Sequence, residues 1–127
     1  MRHDDQYLDD ALKAIANLQE FVVRTGREQF LADRFKQSFV FHQFVILGEA
    51  AVALSRVYRE KYPEVPWASV SGLRNRLVHG YFELDLKLIW ELASTRLDEL
   101  SSQLQQILEA EFPSDPGKPD ELSEPNL

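Results

Sequence analysis

Arg74, Asn75 and His79 fall within one short stretch of the chain, and Tyr81 follows two places after the histidine. On a helix turning about 100° per residue, with Leu73 taken as zero, Val70 and Leu77 fall at about 60° and 40° and make a core face. On the same wheel Arg74, Asn75 and His79 fall at about 100°, 200° and 240°, on the side left uncovered. Asn75 and His79 are four residues apart and so neighbours on the helix surface. This is the chemistry that metal-free cleavage of RNA requires. A base takes the proton of the 2′-hydroxyl, an acid protonates the leaving oxygen, and a cation stabilises the charge that builds on the phosphate. In a symmetric dimer, two copies of the face would gather two histidines and two arginines around one phosphodiester. Spacing alone leaves a plainer account open. Arg74 also fits a solvated or ion-paired surface residue, His79 a helix-end residue engaging free carbonyls, and Tyr81 a packing aromatic.

The elements that must position these residues read as helices. Leu8, Ala11, Leu12, Ile15, Leu18 and Val22 recur at spacings of three and four, which predicts a first amphipathic helix from Asp4 to near Gly26. Thr25 and Glu28 stand at capping-box spacing, so a second helical segment is expected from there towards Tyr62, with a break near Asp33. Between Phe35 and Val57 that segment is apolar on several faces. A helix of this kind must be covered nearly all round, and a domain this small has too little chain to do it, so a homodimer is expected. Pro63 and Pro66 interrupt the helix, and Pro66 opens the next one, which runs to His79 with Gly80 as a left-handed stop. Asp85 caps a last helix whose stripe runs from Leu86 through Ile89, Trp90, Ala93, Leu97, Leu100 and Leu104 to Leu108. No stretch alternates apolar and polar residues as a strand would. The fold class expected is all-α, an antiparallel bundle of four to five helices, homodimeric, occupying residues 1–112. Residues 113–127, rich in proline and acids, are expected to form a disordered tail.

Bulk properties narrow the classes further. With no cysteine among 127 residues, thiolate nucleophiles, disulfides and cysteine-ligated metals are excluded. Three scattered histidines without ligand spacing give no reason to expect a metal or other cofactor. The first residues lack the basic-then-apolar pattern of a secretion signal, and no apolar run approaches the ~18 residues of a membrane span, so a cytoplasmic protein without membrane contact is expected. A net charge of −7 argues against a general nucleic-acid coat protein. The charge is uneven, however. Residues 109–127 hold −5 of it, while Arg56, Arg59, Lys61, Arg74 and Arg76 outnumber Glu60 and Glu64 between 56 and 80, a local site for an anion. Glu49 is a carboxylate on an apolar helix that could orient an arginine, carry a structural hydrogen bond or simply face water. His42 is expected in the interior or at an interface, and Trp67 and Trp90 in the core.

The run Arg74-Asn75-Arg76-Leu77-Val78-His79-Gly80-Tyr81 resembles the R-x4-H-x-Y signature of HepT-like HEPN toxins. Pro63-Glu64-Val65-Pro66-Trp67 before it, Phe82-Glu83-Leu84-Asp85 after it, Ile89-Trp90 and Gly48-Glu49-Ala50 are similar to that family as well. The resemblance covers residues 4–112 and implies a HEPN fold and an RNase site of Arg74 and His79 from both subunits of a homodimer. Asn75 then supports the pair. It also implies the toxin half of a type VII HEPN/MNT toxin–antitoxin system, with RNA as substrate and an MNT-type nucleotidyltransferase antitoxin as partner. In that family the antitoxin transfers AMP to the motif tyrosine, here Tyr81. A different class remains alongside it: a catalytically silent HEPN dimer that binds a nucleotidyltransferase or a nucleotide.

Overall fold

The computed structural model describes residues 3–80 and 83–113, and every regular secondary element among them is helical. In α1 (Asp4–Arg24) the predicted stripe is the buried one, with Leu8, Ala11, Ala14, Ile15 and Leu18 facing inward. The helix opens with the Gln6 side chain accepting from the His3 amide at 3.0 Å. Asp4 and Asp5 sit in its first turn and Arg24 in its last, each sign matching the helix dipole.

The second segment begins differently from the expected Thr25/Glu28 box. Thr25 ends α1, and Gln29 accepts from the Gly26 amide at 2.6 Å to start α2 (Arg27–Ala32). The difference is one register step in who reaches back to the free amide. Phe30, fully buried, anchors this short helix. The break near Asp33 occurs where expected, because the Asp33 carboxylate accepts from the amides of Phe35 and Lys36 and so opens α3 (Arg34–Ala53).

The α3 helix is the centre of the bundle, packed along its length against α1 and backed by α5. Its buried polar side chain, Gln43, accepts from Asn17 of α1 at 3.1 Å, so it enters the core with a partner. The helix does not continue to Tyr62. It stops at Leu54, and α4 (Arg56–Lys61) restarts after Ser55, whose amide donates to Asp4 at the head of α1. Within one chain the outer face of α3 is only partly covered, as expected: Phe35 is 84% exposed, and Phe39, Val52 and His42 are exposed, so of the two places expected for His42 the interior is ruled out.

Two prolines separate α4 from α5 (Trp67–His79), with Val65 buried between them and the Trp67 indole donating to the Tyr62 carbonyl at 2.9 Å. Trp67 and Trp90 both pack against the core, as expected. Gly80 ends α5 at φ −124°, not in the left-handed region, so the stop uses the Gly80 amide on the Arg76 carbonyl and needs no special backbone.

Asp85 caps α6 (Leu86–Thr95) through the amides of Lys87 and Leu88. The predicted last helix is then broken once, at Arg96, before α7 (Leu97–Glu111). The Ser94 and Thr95 hydroxyls donate to the Trp90 and Glu91 carbonyls, a local competition that unsettles a helix end. Ile89, Ala93, Leu97, Leu100, Leu104 and Ile107 keep one buried stripe across the break. The class is therefore all-α, as expected, with the long segments divided by breaks into seven described helices. Residues 114–127, most of the expected tail, lie outside the described residues. No helix among the described residues is long and apolar enough to cross a membrane.

Candidate active site

The site is built where α5 crosses α3 at Gly48. A Cβ at that glycine would collide with the Cβ of Arg74 and stand 2.8 Å from its Cγ and 3.3 Å from the Val70 carbonyl oxygen. Only a residue without a side chain lets the two helices meet this closely, and the stem of Arg74 lies over the gap.

The next residue on α3 receives the arginine head. Arg74 Nε donates to Glu49 Oε1 at 2.8 Å, with the Arg74 side chain 25% exposed and that of Glu49 51% exposed. On the other side Arg74 Nη1 donates to Asn75 Oδ1 at 2.6 Å. A guanidinium has only donors, so the amide oxygen must face it, which turns the Asn75 amide nitrogen outward. Of the five N–H groups of the guanidinium, two are used by Glu49 and Asn75 and three remain. The plane is fixed at two edges while the Nη2 end keeps its donors for an oxyanion.

The structure thus brings Arg74 and Asn75 together and adds Glu49. His79 is not part of this cluster. It is exposed, about 140° around α5 and about 7.5 Å further along its axis than Arg74. Its side chain makes no hydrogen bond or ion pair among the described residues. Tyr81 lies outside the described residues.

Within the basic stretch from 56 to 80, Arg56 is paired with Glu60 at 2.7 Å, Lys61 with Glu111 at 2.8 Å and Arg74 with Glu49. Among the described residues, Arg59 Nε is buried without a partner and Arg76 has no side-chain hydrogen bond or ion pair. Among the described residues, no three His, Asp or Glu side chains come together as metal ligands would.

Residues 11–107 match the sequence model of the family described as Ribonuclease HepT-like. This chain belongs to that family. The HepT-like domain therefore spans α1 to α7, and the Arg74 to His79 segment sits inside it. Two similar curated proteins are matched over nearly their whole length. A protein of Thermococcus cleftensis named probable ribonuclease HepT is 28% identical over 84% of this chain and 96% of its own. A protein of Caldanaerobacter subterraneus named as an RNase is 32% identical over 87% of this chain and 99% of its own. The same HepT-like unit makes up about half of a Methanocaldococcus jannaschii protein whose name couples a gamma-glutamylcyclotransferase to an RNase, at 32% identity. No solved structure matches the chain.

Gly48 was singled out in the sequence only as part of a family-like run, and its part in bringing the two helices together was missed. The available signal was a glycine in the middle of an apolar helix, where it costs about 1 kcal/mol relative to alanine and so calls for a reason.

Proposed function

We propose that this protein is an endoribonuclease toxin that cleaves RNA without a metal ion, through Arg74 and His79 of two protomers. The observation that carries the reading is the guanidinium of Arg74, anchored by Glu49 at 2.8 Å and Asn75 at 2.6 Å with its outer donors unspent. A preorganised cation of this kind stabilises charge as it develops on a phosphate, at little reorganisation cost. The Asn75 amide nitrogen supplies a neutral donor alongside.

Within one chain Arg74 and His79 diverge around α5, so an arginine from one protomer and a histidine from its partner serve the same phosphate. The exposed apolar residues of α3, Phe35, Phe39 and Val52, with the exposed Glu49 on the same helix, mark the surface such a dimer would bury. In the reaction the 2′-oxygen attacks phosphorus as one imidazole takes its proton. The 5′-oxygen leaves with a proton from the other imidazole, giving a 2′,3′-cyclic phosphate and a 5′-hydroxyl end.

Regulation follows from Tyr81, two residues beyond His79. A nucleotidyltransferase antitoxin joins AMP to its phenol oxygen from ATP, releasing pyrophosphate. The added phosphate then pairs with the arginine and blocks RNA.

The test is cleavage of RNA by purified protein in the presence of a chelator. Wild type is expected to cut, and Arg74→Ala and His79→Ala to lose the activity. Equal cleavage by both variants would remove the proposal. Intact-mass analysis with ATP and the nucleotidyltransferase checks the second part, with a gain of one AMP expected on wild type and none on Tyr81→Phe.

A further inference from the structure

The α5 helix leans on α3 along one side, and a groove lies between α5 and the α6–α7 pair. It is open and holds about 740 Å³, inside the range of natural ligand sites. Leu73, Leu97 and Leu100 lie in its floor. Its lining includes Arg76 of α5 and Arg96 at the α6–α7 elbow, together with Glu64 and Glu99. The cleavage chemistry uses none of these residues.

We infer that this groove is a subsite for single-stranded RNA beside the scissile bond, taking one nucleobase on its apolar floor and the flanking phosphates on Arg76 and Arg96. The inference rests on the ribonuclease reading for its substrate class. Four observations support it. First, Arg76 and Arg96 have no side-chain hydrogen bond or ion pair among the described residues, whereas Arg56, Lys61 and Arg74 are all engaged. Two free guanidiniums lining one groove suit the phosphates of a bound strand.

Second, Arg76 in the groove wall is a surface neighbour of His79. The two are three residues apart on α5, which lets a strand cut at His79 continue over Arg76. Third, the groove is also lined by two carboxylates, Glu64 and Glu99, which repel phosphate and can accept from the N–H groups of a base. Fourth, Gly72 lines the groove, and a Cβ placed there meets nothing within 4 Å. The fold has no use for a glycine at that place, and its effect is to cut back the wall where an occupant passes.

The test uses full-length His79→Ala protein, which holds RNA without cutting it, and a fluorescent octaribonucleotide titrated at several salt concentrations. Arg76→Ala and Arg96→Ala are each expected to lower affinity about tenfold and to reduce the slope of log affinity against log salt by about 0.7, the share of one phosphate on a single strand. Gly72→Leu fills the groove without changing charge, and is expected to weaken binding with the slope unchanged. Its melting temperature, which the longer side chain should raise, shows that it folds. Parent-like affinity and slope in all three variants would overturn the subsite. So would a change in sedimentation with RNA binding intact, which would mean that protein covers the groove. Cleavage of the same oligonucleotide by the wild-type histidine enzyme is measured in parallel. Binding that follows these slopes without any cleavage would discard the ribonuclease reading and leave the RNA groove standing.

Discussion

Gly48 and Arg74 touch across the α3–α5 crossing so closely that the backbone at 48 lies against the arginine stem. The contact converts a helix-packing detail into the placement of a cation, because Glu49 is then one residue away from the guanidinium it binds.

Gly48→Ala and Gly72→Ala should therefore act in opposite directions, although both exchange a helical glycine for the best helix former. At 48 the collision with Arg74 costs about 1–3 kcal/mol of overpacking. Helix propensity returns only about 1 kcal/mol, so a net loss of about 1 kcal/mol is expected, together with a displaced Arg74 and weakened cleavage. At 72 the added methyl enters open space, and a gain of about 1 kcal/mol is expected. Urea denaturation of both variants measures the pair, and equal shifts of the same sign would contradict it.

Glu49 separates orientation from charge. Glu49→Gln keeps an oxygen to accept from Arg74 Nε, and is expected to hold kcat within a few-fold of wild type. Glu49→Ala frees the guanidinium, and kcat is expected to fall about tenfold or more with KM changed little, since small misplacements of a reacting group are costly. Steady-state kinetics on an oligonucleotide distinguishes the two. A glutamine variant as damaged as the alanine one would mean that charge, not position, is what Glu49 provides.

Phe35 offers a test of the dimer that spares the protomer. Its side chain is 84% exposed in the chain, so Phe35→Asp removes almost no packing within it. Helical content by circular dichroism should stay at the wild-type level while sedimentation shifts towards the monomer and RNA cleavage falls. A dimeric and fully active variant would place the interface elsewhere.

At the other end of the molecule Lys61 holds α4 to α7 by donating to Glu111 at 2.8 and 3.1 Å. That hydrogen bond and the charge of Glu111 raise the lysine above its usual 10.5. Burial, helped by the same carboxylate, raises the neighbouring Tyr62 phenol above its usual 10.0. Both groups hold their protons longer in the fold than in the unfolded chain. Their contribution to stability is complete below the unfolded values and disappears as pH rises through the folded ones. The melting temperature should feel no loss from this pair between neutrality and about pH 9, and should fall above about pH 10. In a Lys61→Met, Tyr62→Phe protein the alkaline fall should be shallower, and an unchanged fall would assign it to other groups.

What could be read from the sequence was the local chemistry. Asp33 and Asp85 are caps because a carboxylate at a helix start needs only the amides two and three residues on. The stripes of α1 and of the α6–α7 region are equally local and equally legible. The breaks at Ser55 and Arg96 were hidden because the apolar stripe passes through them unbroken. The Arg74–Asn75 contact joins adjacent residues and lay in plain view, whereas the Glu49–Arg74 bond spans 25 positions and exists only because two helices cross. That α3 would be left partly open was legible, but that the opening falls at Phe35 and His42 was not, because composition says how much surface must be covered and not which turn is left open.

α5 is joined to the bundle chiefly through one neighbour, α3, so the loss of that single interface would free the whole helix. Mild denaturant should therefore lift this one helix while the rest stays intact, and its amides should exchange with solvent sooner than those of α1. The chemistry would then fail at a lower urea concentration than the fold does. A molecule of this design could be silenced by whatever pries one helix loose, without ever being unfolded.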